Sequence, residues 1–278
     1  MLKNILEHAT KHRYGIPAVN TFNFESIKWI IKAAEIEKVP IIVQFYPGYN
    51  NFINQEFIAH MATSLAKDAT CPVAVHLDHA TQYDTAVKGI KDGFSSIMVD
   101  GSVLPFEENI KLTSAVVRTA RVFGTEVEAE LGHVGSGQNI NDITNADKYT
   151  DINEAQQFVK ATDCDILAIA VGNAHGPYIQ KPNLDFDRIK AIRKVVDIPL
   201  VLHGSSDIPD EQIQEAVNQG ISKFNIATEY FRAYYNALDN RLKNNSDAFS
   251  LTRDLEEPII DFLRKKIALL NPKRICTI

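Results

Sequence analysis

The sequence predicts an α/β protein, a (β/α)8 TIM barrel, and three observations carry that prediction. Short β-branched runs alternate with longer amphipathic stretches. Eight such runs occur, one about every 29 residues, close to one strand–helix unit of a parallel sheet. The runs are almost continuously apolar, as strands buried on both faces are. The open, doubly wound sheet is the alternative, but no Gly-x-Gly-x-x-Gly follows the first run.

Residues 1–12 read as an extra helix ahead of the barrel. The strand runs are IPAVN from Ile16, IIVQFY from Ile41, VAVHL from Val73 and SSIMV from Ser95, then EVEAEL from Glu126, DILAIAV from Asp165, PLVLH from Pro199 and ISKFNI from Ile221. Between them, FESIKWIIKAAEIEK repeats its apolar residues with a helical period at Ile27, Ile30, Ile31 and Ala34. IPDEQIQEAVNQG opens with Pro209 and two acids and closes on Gly220, the usual helix start and stop residues. Beyond residue 228, two more helical patterns, YFRAYYNALDNRLKNN and DLEEPIIDFLRKKIALL, flank a polar turn read as NNSDAFSLTRD. One barrel domain over residues 1–278 is expected.

A chain of 278 residues buries a sizeable core without staples. With 45% hydrophobic and 23% charged residues it is not a disordered chain. No apolar run reaches the roughly 18 residues that suggest a membrane span. A net charge of −6 gives no footprint for nucleic acid. Cys71, Cys164 and Cys276 are too few and too scattered for a disulfide scaffold or a zinc ribbon. Lys3, Glu7 and His8 interrupt the N-terminus, so it does not read as a signal peptide, and a cytoplasmic location is expected.

Active residues of such barrels sit where the strands end. Asn20 and Asn23 follow the first run; His76, Asp78 and His79 the third; Asp100 and Ser102 the fourth. Glu128, Glu130 and His133 follow the fifth; Asn173 and His175 the sixth; His203, Gly204, Ser205 and Ser206 the seventh; Asn225 and Thr228 the eighth. Five of the eight histidines thus gather at one end of the barrel. Three imidazoles with an open fourth position make a catalytic zinc set. His175 and His203 each end a strand before a glycine, and His79 ends the third beside Asp78. His76 reads as packing beneath them, and His133, in a Gly-rich loop, as a weaker ligand. Gly176, Gly204 and Ser206 let backbone N–H groups approach an anion. The helix starts after the seventh and eighth runs are where such barrels bind phosphate.

These motifs, HLDHA at 76–80, MVDGS at 98–102, VEAELG at 127–132, GNAHGPY at 172–178, VLHGSS at 201–206 and FNIATE at 224–229, resemble the zinc-dependent class II ketose-bisphosphate aldolases over nearly the whole chain. The match looks closest to the tagatose- and fructose-bisphosphate branch. The resemblance implies aldol cleavage of a phosphorylated ketose to dihydroxyacetone phosphate and an aldehyde, through a metal-stabilised enediolate. It implies Zn2+ on His79, His175 and His203, with Glu130 as an alternative or nearby ligand. Asp78 is then the acid/base at the aldehyde oxygen, and Asn225 touches the enediolate. Gly176, Gly204, Ser206, Ala227 and Thr228 cradle the phosphate, with Asn23 also assigned to substrate. A monovalent cation, Na+ or K+, beside that phosphate and a homodimer or homotetramer are also implied.

Four positions depart from the family pattern. The segment GHVGSGQNINDITNADKY is shortened and lacks the acidic residue expected near Gln138; Asp142 is the substitute proton base considered. Tyr46 stands where a small hydroxyl residue is common. Asp207 replaces a common glycine and reads as a cap of the next helix, and Ile179 stands where fructose-specific members carry lysine. An altered terminal group on the ketose, a sulfonate or carboxylate met by Arg232 or Lys181, is therefore an alternative. A metal-dependent barrel hydrolase is another, weakened because the first run has no His-x-His. A non-catalytic partner subunit is a third, and it would be expected to have lost a ligand or Asp78.

Overall fold

The computed structural model describes residues 1–243 and 247–276. Eight parallel strands close into a barrel in sequence order. They are β1 (Ile16–Asn20), β2 (Ile41–Phe45), β3 (Val73–Ala80), β4 (Ser96–Val99), β5 (Glu126–Leu131), β6 (Ile166–Ile169), β7 (Leu200–Leu202) and β8 (Ile221–Ile226). β1 pairs with both β2 and β8, so the sheet has no open edge.

The helices of the outer ring are α2 (Phe24–Glu37), α3 (Gln55–Asp68), α4 (Tyr83–Asp92), α5 (Phe106–Phe123), α7 (Ile152–Thr162), α8 (Phe186–Val195), α9 (Asp210–Gln219) and α10 (Thr228–Leu242), with a short α6 (Ile140–Thr144) in the loop after β5. Their apolar faces, Ile27, Ile30 and Ala34 on α2 for example, pack on the outward side chains of the strands, such as Val43, Leu77 and Leu202. The helix α1 (Leu2–His12) does something else. Its Leu2, Ile5, Leu6 and Ala9 close the lower end of the lumen against Ile16, Ile42, Ala74, Ile166 and Val201.

The C-terminal region differs from the sequence reading in one respect. Helix α11 runs over Ala248–Leu270, so most of the stretch read as a polar turn is helical. Asp247 explains the early start, because its carboxylate accepts from the N–H groups of Phe249 and Ser250 and caps the helix. Asn244, Asn245 and Ser246 of that turn lie outside the described residues.

Candidate active site

Alternation decides what enters the lumen. On β1, Ile16, Ala18 and Asn20 point inward; on β3, Ala74, His76 and Asp78 do. Strict alternation would turn His79 away from the lumen. The chain avoids this by a bulge. Between Leu77 and Ala80, β3 carries one residue more than β4, and His79 takes φ 47°. A left-handed histidine is uncommon, and such strain gathers at functional sites. The bulge sends two consecutive side chains, Asp78 and His79, to the same mouth.

Three imidazoles meet there. His79 Nε2 lies 2.9 Å from His203 Nδ1. His175 Nε2 is buried with no hydrogen-bond partner. One ligand atom from each residue lies within 4.8 Å of the others. The outer nitrogens are all held. His79 Nδ1 is 2.9 Å from Asp100, which is itself fixed by the backbone N–H and the hydroxyl of Ser102. His203 Nε2 is 2.9 Å from Glu128, and the carbonyl of Val134 accepts from His175. These acceptors assign the ring protons to the outer nitrogens. The inner nitrogens of all three rings then turn lone pairs toward one point. Two imidazole nitrogens 2.9 Å apart need a proton or a metal ion between them, and a metal at that point would replace the proton that His79 otherwise carries. The donor set therefore fits a metal ion of the zinc type.

Glu130 lies on the other side of His79. With His79 and Asp100 it forms a second possible donor set, and its Oε2 has no hydrogen-bond partner. Burial, reinforced by the charge of Asp100, pushes its carboxyl well above the usual range. Burial opposes a charge on His79, yet Asp78, Asp100 and Glu130 outweigh it and bring the ring to about 9. His175 has no such excess of carboxylates, and burial followed by the His79 charge lowers it to about 4.

Asp78 sits beside the histidines under three amides. Its Oδ1 accepts from Asn225 Nδ2 at 3.1 Å; its Oδ2 accepts from Gln44 at 3.3 Å and Asn20 at 3.5 Å. Below, Lys223 Nζ donates to Glu128 at 2.7 Å, both fully buried. The cavity above has a volume of about 440 Å³. Gly176, Gly204, Ser206, Asn225, Ala227 and Thr228 all line it, at the amino end of α10. Gly204 has to be glycine: its φ is 56°, and a Cβ there would lie 2.0 Å from the carbonyl oxygen of Ala174.

Several sequence expectations are corrected. Asn23 does not line the cavity; its Oδ1 accepts from Ser26 N in a capping box that opens α2, and Asn20 faces the mouth instead. Asp207 does not cap α9, which starts after Pro209 with no side-chain cap; it pairs with Arg232 at 2.6 Å. Arg232 and Lys181 both lie outside the cavity, the latter 3.8 Å from Glu211. Asp142 is likewise off the cavity lining, held by Lys148 and the N–H of Ser136. Gln44 and Lys223 are absent from the sequence reading and Glu128 stands there only as a strand-end residue with no role, although each is a polar residue at an inward position of an apolar strand, which is a readable signal. Tyr46, Tyr49 and Phe231 also line the mouth, but from loops and a helix where no period marks them.

Comparison with known proteins places the chain in a family. The model of the family described as fructose-bisphosphate aldolase class-II matches residues 1–274. The uncharacterized protein YdjI of Escherichia coli K12 is 39% identical over 265 residues, covering 95% of this chain and 94% of its own. A crystal structure of the YdjI aldolase superposes with a TM-score of 0.89 at 35% identity, over 98% of this chain and 97% of that one. A putative fructose-1,6-bisphosphate aldolase from Coccidioides immitis gives a TM-score of 0.88 at 28% identity, over 96% and 95%. By family model and by relative alike, the chain belongs to the class II fructose-bisphosphate aldolase family and is an aldolase, a carbon–carbon lyase.

Proposed function

We propose that the protein cleaves a phosphorylated ketose reversibly into dihydroxyacetone phosphate and an aldehyde, using Zn2+ held by His79, His175 and His203, with Glu130 as the neighbouring or alternate ligand. The observation that carries this reading is the set of three inner imidazole nitrogens facing one point beside Asp78. Bound there, the metal supplies Lewis-acid polarisation of the ketone. The chain's own residues do the rest. Asp78 takes the proton of the C4 hydroxyl as the C3–C4 bond breaks, and returns it in synthesis. Asn20, Gln44 and Asn225 fix its carboxylate. The free Oδ1 of Asn225 accepts from a substrate hydroxyl. Gly176, Gly204, Ser206, Ala227 and Thr228 hold the phosphate of the ketone half by backbone N–H and hydroxyl groups, with the dipole of α10 behind them. A sodium or potassium ion beside that phosphate, a homo-oligomeric state and a cytoplasmic location belong to the same reading.

One feature refines the aldehyde. Among the described residues that line the mouth there is no lysine or arginine, and Tyr46, Tyr49 and Phe231 supply much of its wall. A phosphate, sulfonate or carboxylate on the aldehyde would find no lysine or arginine among these residues, so an uncharged end fits better.

The test has two arms. Zinc-loaded protein is expected to exchange a hydroxymethyl proton of dihydroxyacetone phosphate for deuterium, followed by NMR; chelation should stop the exchange and zinc restore it. No exchange at full zinc load refutes the aldolase donor assignment. In the second arm, aldol addition is compared for glyceraldehyde and glyceraldehyde 3-phosphate. A kcat/KM at least tenfold higher for the phosphorylated aldehyde refutes the uncharged end.

A further inference from the structure

Aldol chemistry on dihydroxyacetone phosphate needs two separate proton sites, one for the C4 hydroxyl and one for the hydroxymethyl carbon of the donor. Asp78 serves the first in the reading above, on which this inference rests. We infer that His133 serves the second. Among the described residues, the ionisable side chains lining the cavity are Tyr46, Tyr49, Asp78, His79, Asp100, His133 and His175. His79 and His175 turn their inner nitrogens to the metal point. Asp100 is engaged by His79 and Ser102, and Asp78 by three amides. A tyrosine accepts a proton only as the phenolate, a form scarce near neutral pH, and burial, followed by the charge of Asp78, raises Tyr49 further. His133 is the imidazole of the mouth that stands outside the ligand set.

Its surroundings suit a proton carrier. The ring is half-buried, with Nε2 3.8 Å from Asp142 Oδ1. Asp142 is fixed in turn by Lys148 and by Ser136 N at 2.8 Å. The loop that carries both residues is tied to His175. Gly137 N donates to the His175 carbonyl at 2.7 Å, and His175 N donates to the Gly135 carbonyl at 2.8 Å. A Cβ on Gly135 would lie 2.3 Å from the Asp142 carboxylate, so the tight approach needs glycine. His133 is thereby held in register with the imidazole cluster although it sits on a loop. In synthesis the neutral ring takes the proton from the hydroxymethyl carbon, and the electron pair of that C–H bond moves toward the carbonyl oxygen. In cleavage the protonated ring gives a proton to the carbon that keeps the C3–C4 electron pair. No further reactant is needed.

The experiment uses the full-length zinc protein and deuterium exchange into dihydroxyacetone phosphate, with zinc content measured on every sample. His133→Gln and His133→Ala are expected to keep their zinc and to lose exchange by about 10²-fold or more, the usual weight of a general base. Added imidazole is expected to restore exchange in His133→Ala at least tenfold, which repair of a merely structural defect would not do. Exchange in His133→Gln within threefold of wild type overturns the inference. So does an equal loss in both variants with no response to imidazole, which would make His133 structural. Wild-type protein that exchanges nothing at full zinc load overturns the donor assignment and this inference together, so the two failures are told apart.

Discussion

The two ends of the barrel lumen are built on opposite principles. The lower end is Ile16, Ala18, Ile42, Ala74, Ile166, Ala168 and Val201, sealed by the apolar face of α1. The upper end buries Gln44, Asp78, Glu128, Glu130, His203, Lys223 and Asn225 in the same lumen. Five polar atoms there, Gln44 Oε1, His76 Nε2, Glu130 Oε2, His175 Nε2 and Asn225 Oδ1, have no hydrogen-bond partner. An unpaired buried polar group costs about 1–3 kcal/mol, so the upper half spends stability that the lower half supplies. His175 and Asn225 line the cavity and Glu130 belongs to the second donor set, so metal and substrate are the partners that would satisfy these three.

That contrast breaks if the two ends respond alike to mutation. Asp78→Ala should lower the cleavage rate by about 10²–10⁴, the range for a lost acid/base group, while the zinc content holds. Its unfolding free energy should move by no more than about 1 kcal/mol, or roughly 2–4 °C in Tm. A fall in rate matched by loss of the fold would make Asp78 a structural residue. Ile166→Ala at the lower end should do the reverse. Removing this fully buried side chain should cost about 2–5 kcal/mol, with kcat of the folded protein unchanged. Thermal melts and steady-state rates on both variants decide between division of labour and a uniform lumen.

The same contrast explains what the sequence made legible. The strands follow from hydrophobic runs, and the observed β1, β5 and β8 coincide with the runs read from the sequence. The lower lumen follows from alternation alone. At the upper end alternation misleads once, at His79, because a backbone bulge overrides it. It also separates Asn20, which continues the inward series of Ile16 and Ala18, from Asn23, which opens a capping box with Ser26. The same period of two links Glu128 with Glu130 and Lys223 with Asn225, and would have marked the buried pair beneath His203. Tyr46, Phe231 and the contact of His133 with Asp142 depend on where loops and helices return in space, which no local period encodes.

The smallest expected effect lies in the loop above the mouth, and it sharpens the contrast by pH. The hydrogen bond from Lys148, then that from the Ser136 N–H, lowers the carboxyl of Asp142 below its ordinary value. A folded-state pKa below the unfolded one means that the carboxylate stabilises the loop above the ordinary range near pH 4 and loses that hold as pH falls through the folded value. Amide protection factors for residues 133–148 should therefore drop below about pH 4 in the wild type. Asp142→Asn should show weak protection of the loop already at pH 7 and no further step of this origin below pH 4. The amides of β6 and β7, around the lower lumen, should be the same in both proteins at pH 7. If the loop of Asp142→Asn is as well protected at pH 7 as that of the wild type, Asp142 does not hold it. The placement of His133 would then come from backbone bonds, its own N–H to the Lys148 carbonyl at 2.8 Å and the two between the loop and His175.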